Sequence, residues 1–211
     1  MVDKAQQDYF HTLYQLAAEV NSARTPQNVL HSIAEITAKG VGAKGCSLML
    51  LTPDKKQLLH TAAYGLSEWY VRKGPVSVDE SLSQALDGQA VAVKNASEDV
   101  RIQYRQQAYK EGIASILCVP MMLKEGIIGV MRVYTGEPRE FNDDDVYFVC
   151  AAANLGAIAF ENARLYEAAQ QEHEATRREM LEWRAALGDE WMVEDPQDPS
   201  PERFPPSLAG A

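Results

Sequence analysis

Ile113–Tyr134 reads IASILCVPMMLKEGIIGVMRVY, and the reading of this stretch decides the fold. Two apolar runs of strand length flank Lys124-Glu125-Gly126, a charged turn that contains glycine, so the pair is a predicted hairpin. Both faces of each run are largely apolar, the pattern of strands covered on both sides in the middle of a sheet. Arg132 interrupts that pattern. A charge in mid-strand is costly unless something meets it.

A second hairpin lies upstream. Gly45–Thr52 (GCSLMLLT) is a strand, Pro53–Lys56 a turn, and Gln57–Tyr64 the returning strand. Two helices precede it. Residues 4–23 place Phe10, Leu13, Leu16, Ala17 and Val20 on one face. Thr25-Pro26 starts the next helix, with the stripe Val29, Leu30, Ile33 and Ile36, and Gly40 and Gly42 end it. Between the hairpins, residues 65–112 are irregular, with short helices predicted at 81–86 and 103–110 and a short strand at 89–93. After Gly136-Glu137-Pro138, the run Asn142–Asp145 opens a helix reaching about Leu187. Its carboxylates favour the helix dipole and are read as that rather than as metal ligands.

This order predicts an α+β fold: a central antiparallel sheet of about five or six strands, with the terminal helices on one face. Residues 65–112 cross the other face and wall a ligand pocket there, and the long C-terminal helix closes the domain. The expected boundaries are a domain at 1–168, a helical extension at 169–187 and a tail at 188–211. That tail carries five of the ten prolines and six acidic residues against one Arg, a composition that predicts disorder. Along the long helix, a stripe with alternating spacing runs Phe148, Ala152, Leu155, Ala159, Asn162, Tyr166, Ala169, His173, Thr176, Met180, Trp183, Leu187. This is a coiled-coil seam, and it predicts a parallel homodimer; the alternative is a helix lying back on its own domain.

The charge is uneven. Residues 1–144 carry 17 acidic and 15 basic side chains, whereas 145–211 carry 13 and 5. The acidic C-terminal part argues against nucleic acid or an anionic membrane as the partner. No apolar run approaches the roughly 20 residues that span a bilayer, and a cytoplasmic protein is expected. Cys46, Cys118 and Cys150 are widely spaced, form no CxxC, and read as free buried thiols.

At the hairpin, and again at FNDDDVYFVCAAANLGAIAFENARLYEAA, the chain resembles GAF domains, the small-molecule sensor and dimerisation modules of signalling proteins. The strongest parts are GCSLMLLT, SILCVPM, IIGVMRVY and AIAFENARLYE, and the resemblance covers about residues 8–168. It implies a central antiparallel sheet with a ligand pocket on one face, and it fixes no ligand, because the fold hosts many. In cyclic-nucleotide-binding members, Ser47 stands at a serine facing the ligand. Ser81 and Leu82 match positions whose backbone touches it, and Tyr104 falls near a stacking aromatic. Tyr64 and Arg132 stand where those members carry carboxylates, and their Asn-Lys…Phe…Asp-Glu signature survives only as Phe141 and Asp145. Cyclic nucleotides are therefore disfavoured.

In that pocket, Arg132 is read as fixing an anionic group by a bidentate bond; the alternative is a structural acid or a solvent-reaching head. Trp69, Tyr70, Tyr104 and Tyr109 are candidates for stacking on a ring, or are plain core or lid aromatics. Ser47, Ser81 and Ser115 are candidates for orienting a ligand, or cap and fill. No nucleophile–base pair, GxSxG or metal cluster is legible, so the chain is expected to be non-catalytic. Its cofactor is unknown. It is expected to bind a small, possibly anionic ligand and signal through the dimerising helix to a partner protein. The alternative is a ligand-free dimerisation scaffold.

Overall fold

A computed structural model describes residues 4–22, 25–78, 84–124 and 126–187. The expectations for Ser81, Leu82 and the tail at 188–211 lie outside these residues. The helices α1 (Lys4–Val20) and α2 (Pro26–Gly40) precede the hairpin β1 (Gly45–Leu51) and β2 (Gln57–Tyr64). The middle segment contributes α3 (Glu68–Val71), β3 (Val76–Ser77), β4 (Val91–Val93) and α4 (Arg105–Lys110). The central hairpin is β5 (Ser115–Leu123) and β6 (Gly126–Thr135), and α5 runs Asp143–Leu187. The six strands form one sheet, in order β3-β2-β1-β6-β5-β4, antiparallel throughout. This is the predicted α+β architecture with the two long hairpins at its centre. Thr25 stands at the start of α2 without a side-chain capping bond, so proline at the first turn is what marks that start.

One face of the sheet meets the helices. Cys46, Leu48, Leu117, Val119, Met121, Met131 and Val133 form one continuous apolar cluster with Ile33 and Ala34 of α2 and with Phe148, Val149 and Ala153 of α5. Gly156 permits the approach of α5: a Cβ there would lie 3.0 Å from a Leu48 methyl. An 18-residue window of α5 is apolar enough by length and composition alone to cross a membrane. The buried residues of this helix are those packed on the sheet, so core burial accounts for the composition.

The inward residues of α1 differ from the expectation. Phe10 and Tyr14 are exposed, while Leu16 is fully buried and Tyr9 stacks on Phe148 with ring centroids 4.5 Å apart. The Tyr9 hydroxyl also donates to Asp145. Asp145 is buried and accepts from Arg139 at 2.8 Å and from the Asn142 backbone at 3.1 Å. The Asn142 side chain in turn accepts from the Asp145 backbone N–H at 2.8 Å. This reciprocal capping arrangement ties the start of α5 to α1. Burial, with the Asp145 carboxylate second, pushes the Tyr9 hydroxyl up to about 12.

The compact unit ends at Tyr166. Beyond it, the described side chains of α5 are exposed, Met180, Leu181 and Trp183 among them. The early members of the predicted seam, Phe148, Ala152 and Ala159, are buried within the compact unit.

Candidate functional site

Opposite the helices, β6 presents Val130, Arg132 and Tyr134, because successive side chains alternate between faces. Val130 belongs to one apolar cluster, with Met49, Leu58, Val76, Ala85, Val91 and Cys118. Tyr134 belongs to another, with Tyr70, Val93, Ala96, Ala108, Ile113 and Ile116. The described part of residues 65–112 thus covers this face in two apolar patches. Arg132 lies between them along β6, opposite Ser47 on β1 and Cys118 on β5.

Arg132 is 8 % exposed, and its Nε is buried with no hydrogen-bond partner. Among the described residues, no carboxylate lies within ion-pair distance of it. The chain does pair a partly buried arginine where structure alone requires it, as with Arg139 and Asp145. A guanidinium stays charged at any accessible pH; burial works against that charge, the neighbouring Cys118, Tyr134 and Tyr70 side chains work for it, and no carboxylate among the described residues joins them.

Two further basic groups stand on the same face. His60 lies on β2 opposite Met49, and Lys73 follows α3. The Lys73 ammonium sits 3.0 Å from His60 Nε2, donates to the Tyr70 carbonyl at 3.0 Å, and lies 3.8 Å from the Tyr70 ring centroid. An ammonium only donates, so His60 Nε2 is the acceptor and the ring proton resides on Nδ1. That nitrogen is also buried without a partner. Burial, then Lys73 and Arg132, push His60 down to about 3. Burial, then Arg132, lower Lys73 to about 8.

The result is a donor-rich, acceptor-poor centre: the orphan Nε–H of Arg132, the orphan Nδ1–H of His60 and the Lys73 amine. Beside it, the Ser47 and Tyr134 hydroxyls are 2.9 Å apart. Burial pushes the Tyr134 hydroxyl up to about 12, against the pull of Arg132, so it stays a neutral donor. Among the described residues, the acid that acts on Lys73 is Glu111. Its carboxylate is held by the Ser67 backbone N–H at 2.8 Å and by the Ser67 hydroxyl. Such a centre is suited to an anion that supplies the missing acceptors.

Of the site residues read from sequence, Ser47 and Arg132 meet at this centre. Tyr104 borders it: its hydroxyl donates to the Pro75 carbonyl at 3.0 Å, and its ring centroid is 5.7 Å from the Lys73 amine. The other described ones lie apart. Tyr64 is on the helix-packed face, edge-on to His31 and under Lys39. The cause is a bulge opposite Leu48 and Met49, which adds Thr61 to β2 and reverses the alternation beyond it. Trp69 and Tyr109 are exposed on α3 and α4. Ser115 is a structural tie, donating to the Lys94 carbonyl at 2.7 Å and accepting from the Arg139 backbone at 2.9 Å. Sequence reasoning missed Lys73 and passed over His60. The available signal was a histidine on the Leu58 side of β2 together with a lysine just before Gly74.

The cysteines are free. Cys46 faces the helices and Cys118 the opposite side, so the two cannot pair. Among the described residues, no group of three or more metal-ligating side chains forms. A separate groove of about 890 Å³ runs beside α5 at the hairpin ends, lined by Leu50, Leu51, Met122, Leu123, Ile127 and Ile158 among others.

Solved structures with this arrangement include the GAF domain of a phosphoenolpyruvate-protein phosphotransferase from Coxiella burnetii. Its TM-score is 0.69 at 18 % identity, covering 79 % of this chain and 99 % of that one. Free methionine-R-sulfoxide reductase from Neisseria meningitidis aligns with a TM-score of 0.63 at 17 % identity, covering 79 % and 95 %. In sequence, a methyl sulfide methyltransferase-associated sensor of Methanosarcina acetivorans is 26 % identical over 133 residues. The alignment takes in 60 % of this chain but only 13 % of that relative. The sequence profile of the GAF domain matches residues 23–161. On that match, and on a sheet and helix arrangement shared with solved GAF domains, the chain belongs to the GAF domain family.

Proposed function

We propose that this chain is a non-catalytic sensory module that binds a small anion at the Arg132 centre and signals through association of its C-terminal helix with a second copy. The observation that carries the reading is the buried guanidinium with an orphan Nε and no carboxylate partner among the described residues. A sensor relative supports a signalling context. Ligand binding that favours one arrangement of the helices would shift their equilibrium by its differential affinity for the two states. The partner protein that receives the signal, and the identity of the anion, are not assigned. The acidic balance of the chain disfavours nucleic acid.

The test is native mass spectrometry of freshly purified protein, which reports subunit number and retained small molecules together. It is paired with thermal shifts in a panel of phosphates and carboxylates. The expected result is a dimer, with an anion-dependent stabilisation that Arg132→Ala abolishes. Exposed Leu165, Tyr166, Met180, Leu181 and Trp183 favour a second reading, a dimerising scaffold without ligand. That reading replaces the first if no anion shifts the melting temperature while truncation after Leu165 still converts dimer to monomer.

A further inference from the structure

The Arg132 centre contains an amine in an unusual setting. The Lys73 side chain is partly buried, and its nitrogen is held in one place by His60 Nε2, the Tyr70 carbonyl and the Tyr70 ring. Arg132 acts on both Lys73 and His60 electrostatically, without touching the Lys73 amine through any hydrogen bond among the described residues. A desolvated lysine beside a second cation is the arrangement that yields a nucleophilic amine near neutral pH. An unpaired guanidinium is the arrangement that holds a carboxylate. One small molecule that used both would carry a carbonyl next to a carboxylate.

We propose that the ligand of this site is a short 2-oxo acid, captured reversibly as an imine on Lys73 with its carboxylate on Arg132. The inference rests on the anion-binding reading above and deepens it. The unprotonated Lys73 nitrogen attacks the carbonyl carbon. The C–N bond forms as the carbonyl π pair moves to oxygen, giving a carbinolamine once a proton passes from nitrogen to that oxygen. Loss of the hydroxyl, together with the remaining nitrogen proton, releases water and leaves C=N. Nothing is oxidised or reduced, and hydrolysis reverses the step, as a sensor requires. The carboxylate meanwhile supplies the acceptors that Arg132 Nε and His60 Nδ1 lack. Burial lowers Lys73 to about 8, with Arg132 the next contributor, so an appreciable fraction of the amine is unprotonated at neutral pH.

The experiment uses the full chain with pyruvate as probe, sodium borohydride to trap an imine, and intact and peptide mass spectrometry to locate it. Thermal shifts with pyruvate and with lactate, which binds as an anion but forms no imine, run in parallel. The expected result is one reduced pyruvyl group, mapped to Lys73. It should be absent in Lys73→Arg, and its yield should fall roughly tenfold in Arg132→Met, where the amine loses its cationic neighbour. Cooperative melting of the two variants without ligand, at temperatures no lower than that of the wild type, shows that they fold. Label scattered over surface lysines such as Lys55 and Lys56, or surviving in Lys73→Arg, overturns the proposal. Equal stabilisation by lactate and pyruvate with no adduct on Lys73 overturns the imine and leaves the anion site standing. No stabilisation by either, and no adduct, removes the 2-oxo acid and counts against the anion site as well.

Discussion

Against α2 and α5 the central strands present Cys46, Leu48, Leu117, Val119, Met131 and Val133, all buried and all apolar. One residue over on the same strands, and on neighbouring β2, they present Ser47, Arg132, Tyr134 and His60. The first face is a packed core in which each side chain is explained by its neighbours. The second interrupts its apolar cover with a guanidinium that has no carboxylate partner among the described residues. On the proposed function, stability and anion binding are divided between the two sides of one sheet, and substitutions on the two sides should differ in sign.

The largest effect is expected on the helix side. Leu48→Ala leaves a cavity under Gly156 and should cost about 3 kcal/mol in urea unfolding, with no change in anion response. On the other side, Arg132→Met replaces an unpaired buried charge with an apolar chain of similar length. It should be neutral or raise stability by about 1–2 kcal/mol while abolishing anion-dependent stabilisation. A loss of several kcal/mol there would mean that Arg132 is structural, and the contrast between the faces would fail.

A third test uses pH. His60 titrates near 6.5 when unfolded and near 3 when folded. Between these values the unfolded chain holds the extra proton, so stability falls as pH drops, by about 1.4 kcal/mol per unit from this group. The difference between wild type and His60→Gln in pH-dependent melting should show that slope. Equal slopes would place His60 in water rather than in the centre. The smallest effect on folding is expected outside the compact unit. Trp183→Ser, at an exposed position, should change domain stability by less than about 0.5 kcal/mol, yet weaken dimerisation measured by analytical ultracentrifugation.

The hairpins and helices were legible because their apolar periods are long and their turns carry Gly, Pro and Asp. The elements β3 and α3 were not. Val76–Ser77 is two residues long, and its place is fixed by pairing with Leu58 and by a bond from the Ser77 N–H to the distant Gln103 side chain, 2.9 Å away. The side of the sheet taken by Tyr64 was illegible because it depends on a single extra residue, Thr61, in a strand that otherwise alternates. Arg132 stood out in the sequence as a charge inside an apolar run. Lys73 and His60 did not, because their meeting is tertiary: β2 contributes one, the loop after α3 the other, and only the folded chain makes them neighbours of β6.

The outermost strands, Val76–Ser77 and Val91–Val93, are the shortest of the six. Such brief margins carry few ladder groups of their own for an incoming chain to pair with, a feature that discourages strand addition at the sheet edge. Lengthening either margin by a few Val or Thr residues would be the direct way to make this protein polymerise.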